Sequence, residues 1–134
     1  MIPSISAFPK QNLKIVNQPT NTYKINLQSN QVYGETDGKG AMIQAIYKIL
    51  STERYQCVVY SWNYGIEVAD LYGEAVSYVY PELERRITEA LTWDNRIKRV
   101  NNFKFDSPNK GEVCVSFMVH TIFGAIELEK VVNV

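Results

Sequence analysis

Two segments near the C-terminal end of the chain alternate apolar and polar residues, and only short turns separate them. In the first segment the alternation gives one apolar face, made of Val113, Val115, Phe117 and Val119. A period of two residues is typical of a half-buried strand. Turns are predicted at Asp106–Gly111 and Phe123-Gly124, and strands joined by such short turns must run antiparallel. The pattern therefore predicts a three-strand meander formed by Arg96–Phe105, Glu112–Thr121 and Ala125–Val132.

Three segments in the middle of the chain have helical rather than strand spacing. In Ala41–Leu50 the apolar residues Met42, Ile46, Ile49 and Leu50 share one face, with Asp37 as a candidate cap. A short helix is predicted at Gly65–Tyr72, with Gly73 as its stop. Pro81–Leu91 is a third helix, with the proline placed in its first turn.

The N-terminal part of the chain has a different character. Residues 1–20 contain Pro3, Pro9 and Pro19, so we expect an extended arm with one short strand at Leu13–Val16. Such an arm is either a disordered terminus or a segment that packs on a neighbouring subunit. Tyr23–Leu27 alternates as a strand does, and a turn at Ser29-Asn30 leads into a hairpin with Val32-Tyr33.

These patterns predict an α+β fold. Its antiparallel sheet combines an N-terminal strand or hairpin with the C-terminal meander and packs with about three central helices. Slipped apolar spacing at Asn101-Asn102 predicts a bulge in the first meander strand. A chain of 134 residues suits one domain, here residues 21–134, preceded by the arm at 1–20.

Charge and composition narrow the class of function. Fourteen basic residues balance fourteen acidic ones, so no overall field favours nucleic acid or a membrane surface. The apolar runs are far shorter than the ~20 residues needed to cross a bilayer, and Met1–Ser4 does not begin a signal peptide. Cys57 and Cys114 lie in apolar, strand-like surroundings and are expected to be buried free thiols. We therefore expect a soluble protein made in a cytoplasm.

The sequence contains no pattern that predicts catalysis, a cofactor or a metal. A single histidine, His120, cannot form a metal cluster, and no Cys-x-x-Cys pair is present. The carboxylates that could work as a pair are Glu53, Glu67, Asp70 and Glu74, and an exposed acidic helix face explains the last three as well. A local basic cluster is predicted to be a solvated rim or a patch for an acidic protein. Its members are Arg85, Arg86, Arg96, Lys98, Arg99 and Lys104.

A series of motifs identifies a family. In chain order the motifs are Gly34-x-x-Asp37-Gly38, Ala41-x-x-Gln44-Ala45-x-x-x-x-Leu50-x-Thr52-Glu53-Arg54, Tyr60-Ser61-x-x-Tyr64-Gly65-x-Glu67, Leu71-x-Gly73, Ile87-x-x-Ala90-Leu91-x-x-Asp94-x-Arg96-Ile97-x-x-Val100 and Val113-x-Val115-x-Phe117-x-Val119-x-Thr121-x-x-Gly124. The series covers residues 22–132. It resembles the small baseplate wedge proteins of contractile-tailed phages, also called sheath initiators, in the branch found in prophages of Gram-positive bacteria. The wider family has also been described as lysozyme-like.

The resemblance implies a structural role. Members of this family sit in the baseplate wedge around the tail tube and contact other wedge proteins. They also present strands that the first ring of sheath subunits extends by β-addition. The implied partners are other wedge proteins and the tail sheath protein, with the tail tube or hub as further candidates, and no nucleic acid or membrane. Assembly would take place in the bacterial host cytoplasm and end in the virion tail baseplate. The isolated protein would be a monomer or a weak oligomer.

The resemblance also points to candidate contact residues. A Glu-Pro-Arg signature of the wider family, thought to support contacts with the wedge core, corresponds here to Thr52-Glu53-Arg54, without the proline. The residues themselves leave open a contact with a partner, an intramolecular salt bridge or plain exposure. The predicted partner-binding residues are Thr52, Glu53, Arg54, Tyr64, Gly65, Ile126, Leu128, Lys130 and Val132.

The last strand supports the same role on physical grounds. Ala125–Val132 should have one unpaired edge and carries few charges, and such an edge invites aggregation unless another chain pairs with it. The competing possibility is that the N-terminal strand covers this edge. Two other classes of function stay open, a small muralytic hydrolase and a binding module of the host cytoplasm.

Overall fold

The computed structural model describes residues 19–134. The predicted strand at Leu13–Val16, and all of the predicted arm except its last two residues, lie outside this range. The elements in chain order are β1 (Thr22–Asn26), β2 (Gln31–Thr36), α1 (Gly38–Ser51), a 3-10 turn (Ala69–Leu71), α2 (Val76–Thr92), β3 (Ile97–Asp106), β4 (Glu112–Thr121) and β5 (Gly124–Asn133). The α+β class and the antiparallel strands are confirmed, with two α-helices in place of about three.

The strands of residues 19–134 form two separate sheets. The prediction of one sheet that combines the hairpin with the meander is therefore wrong, because β1 and β2 pair only with each other. β1 and β2 are an antiparallel hairpin, as predicted, and β3, β4 and β5 form an antiparallel sheet in that order. The pairing of β4 with β5 is regular from Glu112–Asn133 to Thr121–Gly124. The pairing of β3 with β4 slips twice, once near Lys98 and once between Asn101 and Lys104. The second slip is the predicted bulge, and Asn102 has the positive φ of 56° there.

Both helices pack on one face of the three-stranded sheet. The predicted face of β4 is fully buried, and α1 contributes the predicted stripe of Met42, Ile46, Ile49 and Leu50. These side chains share one apolar core with Ile87 and Leu91 of α2. Asp37 accepts a hydrogen bond from the Gly38 amide and so caps α1 as expected. The alternation of β4 thus sets which side of the sheet the helices cover.

The second α-helix begins five residues earlier than predicted, at Val76, so the proline at position 81 lies inside it. A proline at this position removes one helical hydrogen bond, which would otherwise run to the carbonyl of Ser77. Packing compensates for the loss, because the added turn buries Val79 completely and stacks Tyr80 on Phe105 with ring centroids 4.7 Å apart. Tertiary contacts therefore override the local signal of the proline.

The predicted helix at Gly65–Tyr72 is wrong. Gly65 has a φ of +96°, which is incompatible with a right-handed helix, and only Ala69–Leu71 forms a 3-10 turn. Ile66 pairs instead with Glu53 in a short parallel bridge. The predicted strand or extended segment at Cys57–Tyr60 is a run of exposed turns, and it pairs with no strand of residues 19–134.

The two cysteines are unpaired, as expected, but they are not buried in strands. Cys57 is exposed in the turns that follow α1, and Cys114 is half-buried on the face of β4 that points away from the helices. The expectation of burial failed because both positions were judged from apolar neighbours in sequence. In β4 those neighbours point to the opposite face of the sheet.

Candidate functional site

The segment Thr52-Glu53-Arg54 closes α1 and joins it to the loop that follows. Thr52 caps the end of the helix, since its hydroxyl donates to the carbonyl of Lys48 at 2.8 Å. The Ile66 amide donates to the Thr52 carbonyl at 2.9 Å, and the Arg54 amide donates to the Ile66 carbonyl at 3.1 Å. These two bonds hold residues 52–54 and 65–66 side by side, at the base of the turns between them.

Both charged side chains of this segment have partners within the chain. The Glu53 carboxylate accepts hydrogen bonds from the amides of Val68 and Ala69 at 3.1 and 3.2 Å, where the 3-10 turn begins. The Arg54 guanidinium donates to the Gly65 carbonyl at 3.2 Å and lies 3.5 Å from a carboxylate oxygen of Glu89. The intramolecular alternative is therefore present in the structure, and contact of these charges with a partner stays a prediction.

Gly65 lies where no other residue fits without strain. Besides its positive φ, a Cβ atom at this position would lie 2.5 Å from the Thr52 carbonyl oxygen and 3.2 Å from the Arg54 amide. Its neighbour Tyr64 stacks on Tyr60 with ring centroids 4.4 Å apart, and burial raises the pKa of the Tyr64 hydroxyl. The Tyr64-Gly65 pair thus packs the C-terminal end of the loop against the Thr52-Glu53-Arg54 segment.

Lys130 connects this segment to the last strand. Its ammonium donates to the Leu50 carbonyl at 2.7 Å, which satisfies another of the free carbonyls at the end of α1. Burial lowers the pKa of the Lys130 ammonium, and the nearby Glu53 carboxylate partly offsets this effect. Lys130 is therefore a structural link between β5 and α1, with its charged end turned away from solvent.

The side chains of β5 divide cleanly between the two faces of the sheet. Ile126 and Val132 are buried, and Leu128 packs partly buried against the core. Together with Lys130, the predicted contact residues of this strand therefore face the helices. The exposed side chains belong to the residues between them, namely Ala125, Glu127, Glu129, Val131 and Asn133.

The same five residues turn their backbone groups away from β4. The Val134 amide donates to the Gly111 carbonyl at 2.8 Å, so that pair is hydrogen-bonded across the two strands. In an antiparallel ladder bonded pairs alternate with unbonded ones, so the even-numbered residues of β5 bond to β4. The odd-numbered residues point their N–H and C=O groups outward. Within residues 19–134 no backbone group pairs with them.

The other edge of the sheet is protected in a way that β5 is not. β3 is broken by two register slips and carries the exposed cations Lys98, Arg99 and Lys104. Bulges and edge lysines are the usual devices that stop another strand from pairing. β5 has ten residues in uninterrupted register. Within residues 19–134 it is therefore the edge of this sheet that lacks these devices.

Sequence reasoning missed an exposed apolar loop next to the charged segment. Val58 is 100% exposed, Val59 is 93% exposed and Trp62 is 82% exposed. Side chains of this type rarely stand fully in solvent together unless a surface serves binding. The run Cys57-Val58-Val59-Tyr60 was the available signal, but its composition favoured a strand.

The charged residues that the sequence offered as a catalytic pair or a basic patch include several that form ordinary surface ion pairs. Asp70 pairs with Arg86, whose hydrogen bonds hold the pKa of that carboxyl below its ordinary value, the opposite of what an acid catalyst needs. Because no α-helix forms at residues 65–72, Glu67, Asp70 and Glu74 do not line one helix face as predicted. In the predicted basic cluster, Arg85, Arg86 and Arg96 are all paired with carboxylates.

Across residues 19–134, no group of three His, Cys, Asp or Glu side chains is placed to hold a metal ion. The lone histidine, His120, contacts the Asn101 side chain at 3.0 Å. Neither α1 nor α2, the helices of the described range, has the length and apolar character that would let it cross a membrane.

Residues 19–134 thus form a small α+β unit whose three-stranded sheet ends in the regular edge strand β5. Residues 18–124 match the family model described as the contractile injection system sheath initiator. Over 121 residues the chain is 35% identical to the phage-like element PBSX protein XkdS of Bacillus subtilis (strain 168), an alignment that covers 87% of this chain and 84% of that protein. The chain therefore belongs to the sheath initiator family of contractile injection systems.

Family membership confirms the resemblance and its prophage branch. It gives the protein a structural role in a contractile phage-type tail, with tail sheath components as the implied class of partner.

Proposed function

We propose that this protein is a baseplate subunit that binds wedge proteins and templates the first ring of tail sheath by strand addition at β5. The observation that carries the proposal is the regular outer edge of β5, where five residues point their backbone groups away from the sheet. Unpaired N–H and C=O groups in a straight row are what an added strand requires. The family of this chain supplies the class of partner.

The wedge contact is assigned to the loop that follows α1, which begins next to the C-terminal half of β5. The Thr52-Glu53-Arg54 segment fixes the base of the loop that exposes Val58, Val59 and Trp62. Exposed aromatic and aliphatic groups on a fixed loop are typical of the buried centre of an interface. In this proposal the two charges act on the wedge contact by holding the loop, and the loop side chains touch the partner. Assembly takes place in the host cytoplasm and ends in the virion baseplate.

A hydrolytic role has less support. Retaining and inverting glycosidases need two carboxyl groups that flank a substrate, one of them with a raised pKa. Here Glu53 is bonded to backbone amides, Asp70 is held ionised by Arg86, and Glu67 lies 4.0 Å from Arg54. We therefore propose that the protein is not an enzyme. In this proposal its residues hold the backbone and side chains of the protein in place for contact with other proteins.

A seeded assembly assay tests the proposal. Purified sheath protein of the same tail is incubated with and without this protein, and polymerisation is followed by light scattering and electron microscopy. We expect the lag before polymerisation to shorten as the amount of this protein rises, because a preformed strand edge removes the slow nucleation step. An unchanged lag at every ratio, with no binding of the two proteins, would contradict a templating role.

A further inference from the structure

The outer edge of β5 carries a charge pattern as well as free backbone groups. Glu127 and Glu129 are both exposed and lie two residues apart on one face of the strand, so their Cα atoms are about 6.8 Å apart. Within residues 19–134 neither carboxylate has a Lys, Arg or His nitrogen within salt-bridge distance. Glu129 accepts a bond only from the Cys114 thiol, at 2.6 Å. The two charges are therefore available to an added strand.

The neighbouring strands do not neutralise these charges. The residues of β4 opposite Glu127 and Glu129 are Met118 and Ser116, which carry no charge. The exposed lysine of that row, Lys104, lies one strand further away, on β3. Adjacent strands are about 4.8 Å apart, so a strand added to β5 would be closer to the glutamates than Lys104 is. Lys130 of β5 points to the other face, toward the end of α1.

We infer that the strand accepted by β5 is a basic one, with Lys or Arg at two alternate positions that face Glu127 and Glu129. Directly opposite charges on neighbouring strands attract, and like charges in the same places repel. The same rule disfavours a second copy of β5 as the occupant, because antiparallel self-pairing would bring four carboxylates together along one face. The inference rests on the proposed strand addition and adds the chemistry by which the partner strand is selected.

The space beside the edge accommodates such a strand. A groove of about 540 Å³ runs along the C-terminal half of β5 on the helix side, and it is lined by Glu53, Gln56, Val68, Ala69, Tyr72 and residues 130–133. Side chains of an added strand alternate between the two faces. Those that face Lys130 and Val132 would therefore point into this groove, and the basic ones would stay beside Glu127 and Glu129.

Charge reversal tests the inference on the full chain. We measure the affinity of the purified tail sheath protein for wild type, for Glu127→Lys/Glu129→Lys, and for the matched control Glu74→Lys/Glu84→Lys. The control changes the net charge equally at two exposed residues outside β5. Reversal at β5 should weaken binding about tenfold, since two cross-strand attractions become repulsions, and the control should bind as wild type does. Raising the salt from about 50 to about 500 mM should weaken wild-type binding and weaken Glu127→Gln/Glu129→Gln binding much less.

Other outcomes of this experiment would each contradict a specific part of the proposal. Equal affinity of the wild type and the β5 reversal variant would overturn the inference that the added strand is basic. Equal weakening by both reversal variants would overturn it too, because the effect would then come from the net charge of the protein alone. Strand addition itself is tested separately by the Val131→Pro variant, which leaves both glutamates in place. If Val131→Pro weakens binding and charge reversal does not, only the basic-strand inference fails. If neither change weakens binding, both proposals fail.

Discussion

Replacing Gly65 with alanine is expected to lower the free energy of unfolding by about 4 kcal/mol. The left-handed backbone at φ +96° costs an alanine about 1–2 kcal/mol. A new Cβ atom 2.5 Å from the Thr52 carbonyl oxygen adds about 1–3 kcal/mol, because the atom it meets belongs to the backbone of the same bridge and cannot turn away. Urea unfolding followed by far-ultraviolet circular dichroism measures the change.

The chain contains a matched control for this prediction. Gly73 also has a positive φ, +84°, but a Cβ atom there would meet nothing within 4 Å. Gly73→Ala should therefore cost only the conformational term, about 1–2 kcal/mol. Equal destabilisation by the two substitutions would show that the close approach of residues 52 and 65 is not what requires the glycine. In that case the hydrogen bonds from Arg54 to the Gly65 carbonyl would also not depend on the close contact between residues 52 and 65.

Val131→Pro is expected to reduce the affinity for the tail sheath protein about tenfold or more while leaving the fold intact. Val131 is an outward residue of β5, so its N–H does not take part in the β4–β5 ladder. A proline there removes one outward donor and places its ring in the path of an added strand. The loss of one bond with its partner left unsatisfied corresponds to about 1–3 kcal/mol, or about 5-fold to 150-fold in affinity, and the clash of the ring adds to it. Titration calorimetry with purified sheath protein measures the affinity.

A conservative substitution separates the backbone from the side chain in this experiment. Val131→Thr keeps the N–H group, the β-branched shape and the extended preference of the strand. It should bind the sheath protein nearly as well as wild type. Both variants should unfold close to the wild-type urea midpoint. Wild-type affinity of Val131→Pro would argue against pairing at this edge, and equal weakening of both variants would point to the valine side chain instead.

Much of this fold could be predicted from local patterns, because a helix or strand with one buried and one exposed face has a clear apolar periodicity. The alternation of β4 and the helical stripe of α1 each describe a surface with one buried side, and the structure buries those sides. The wrong predictions concern segments whose conformation depends on contacts with residues far away in sequence. Gly65 takes a left-handed conformation because Ile66 must reach Glu53, twelve or more residues away in sequence. The early start of α2 depends likewise on the burial of Val79.

The structure gives the predicted contact residues an orientation that the sequence did not reveal. Within residues 19–134 the last strand has no backbone partner on its outer side, and the segment 52–54 holds the base of a surface loop. The selection of Ile126, Leu128, Lys130 and Val132 followed the apolar residues of β5, which the structure turns toward the helices. A sequence pattern shows that a strand has two faces, but it does not show which backbone groups remain unpaired. That information comes from the ladder with β4.

Amide hydrogen exchange of β5 tests strand addition most directly. In the free protein the N–H groups of residues 125, 127, 129, 131 and 133 have no backbone partner within the described range and should exchange rapidly. When sheath protein is bound, these alternate amides should become strongly protected, while the even-numbered amides of the strand, already bonded to β4, change little. Protection of the loop at residues 55–62 with no change at the odd-numbered amides of β5 would contradict the account.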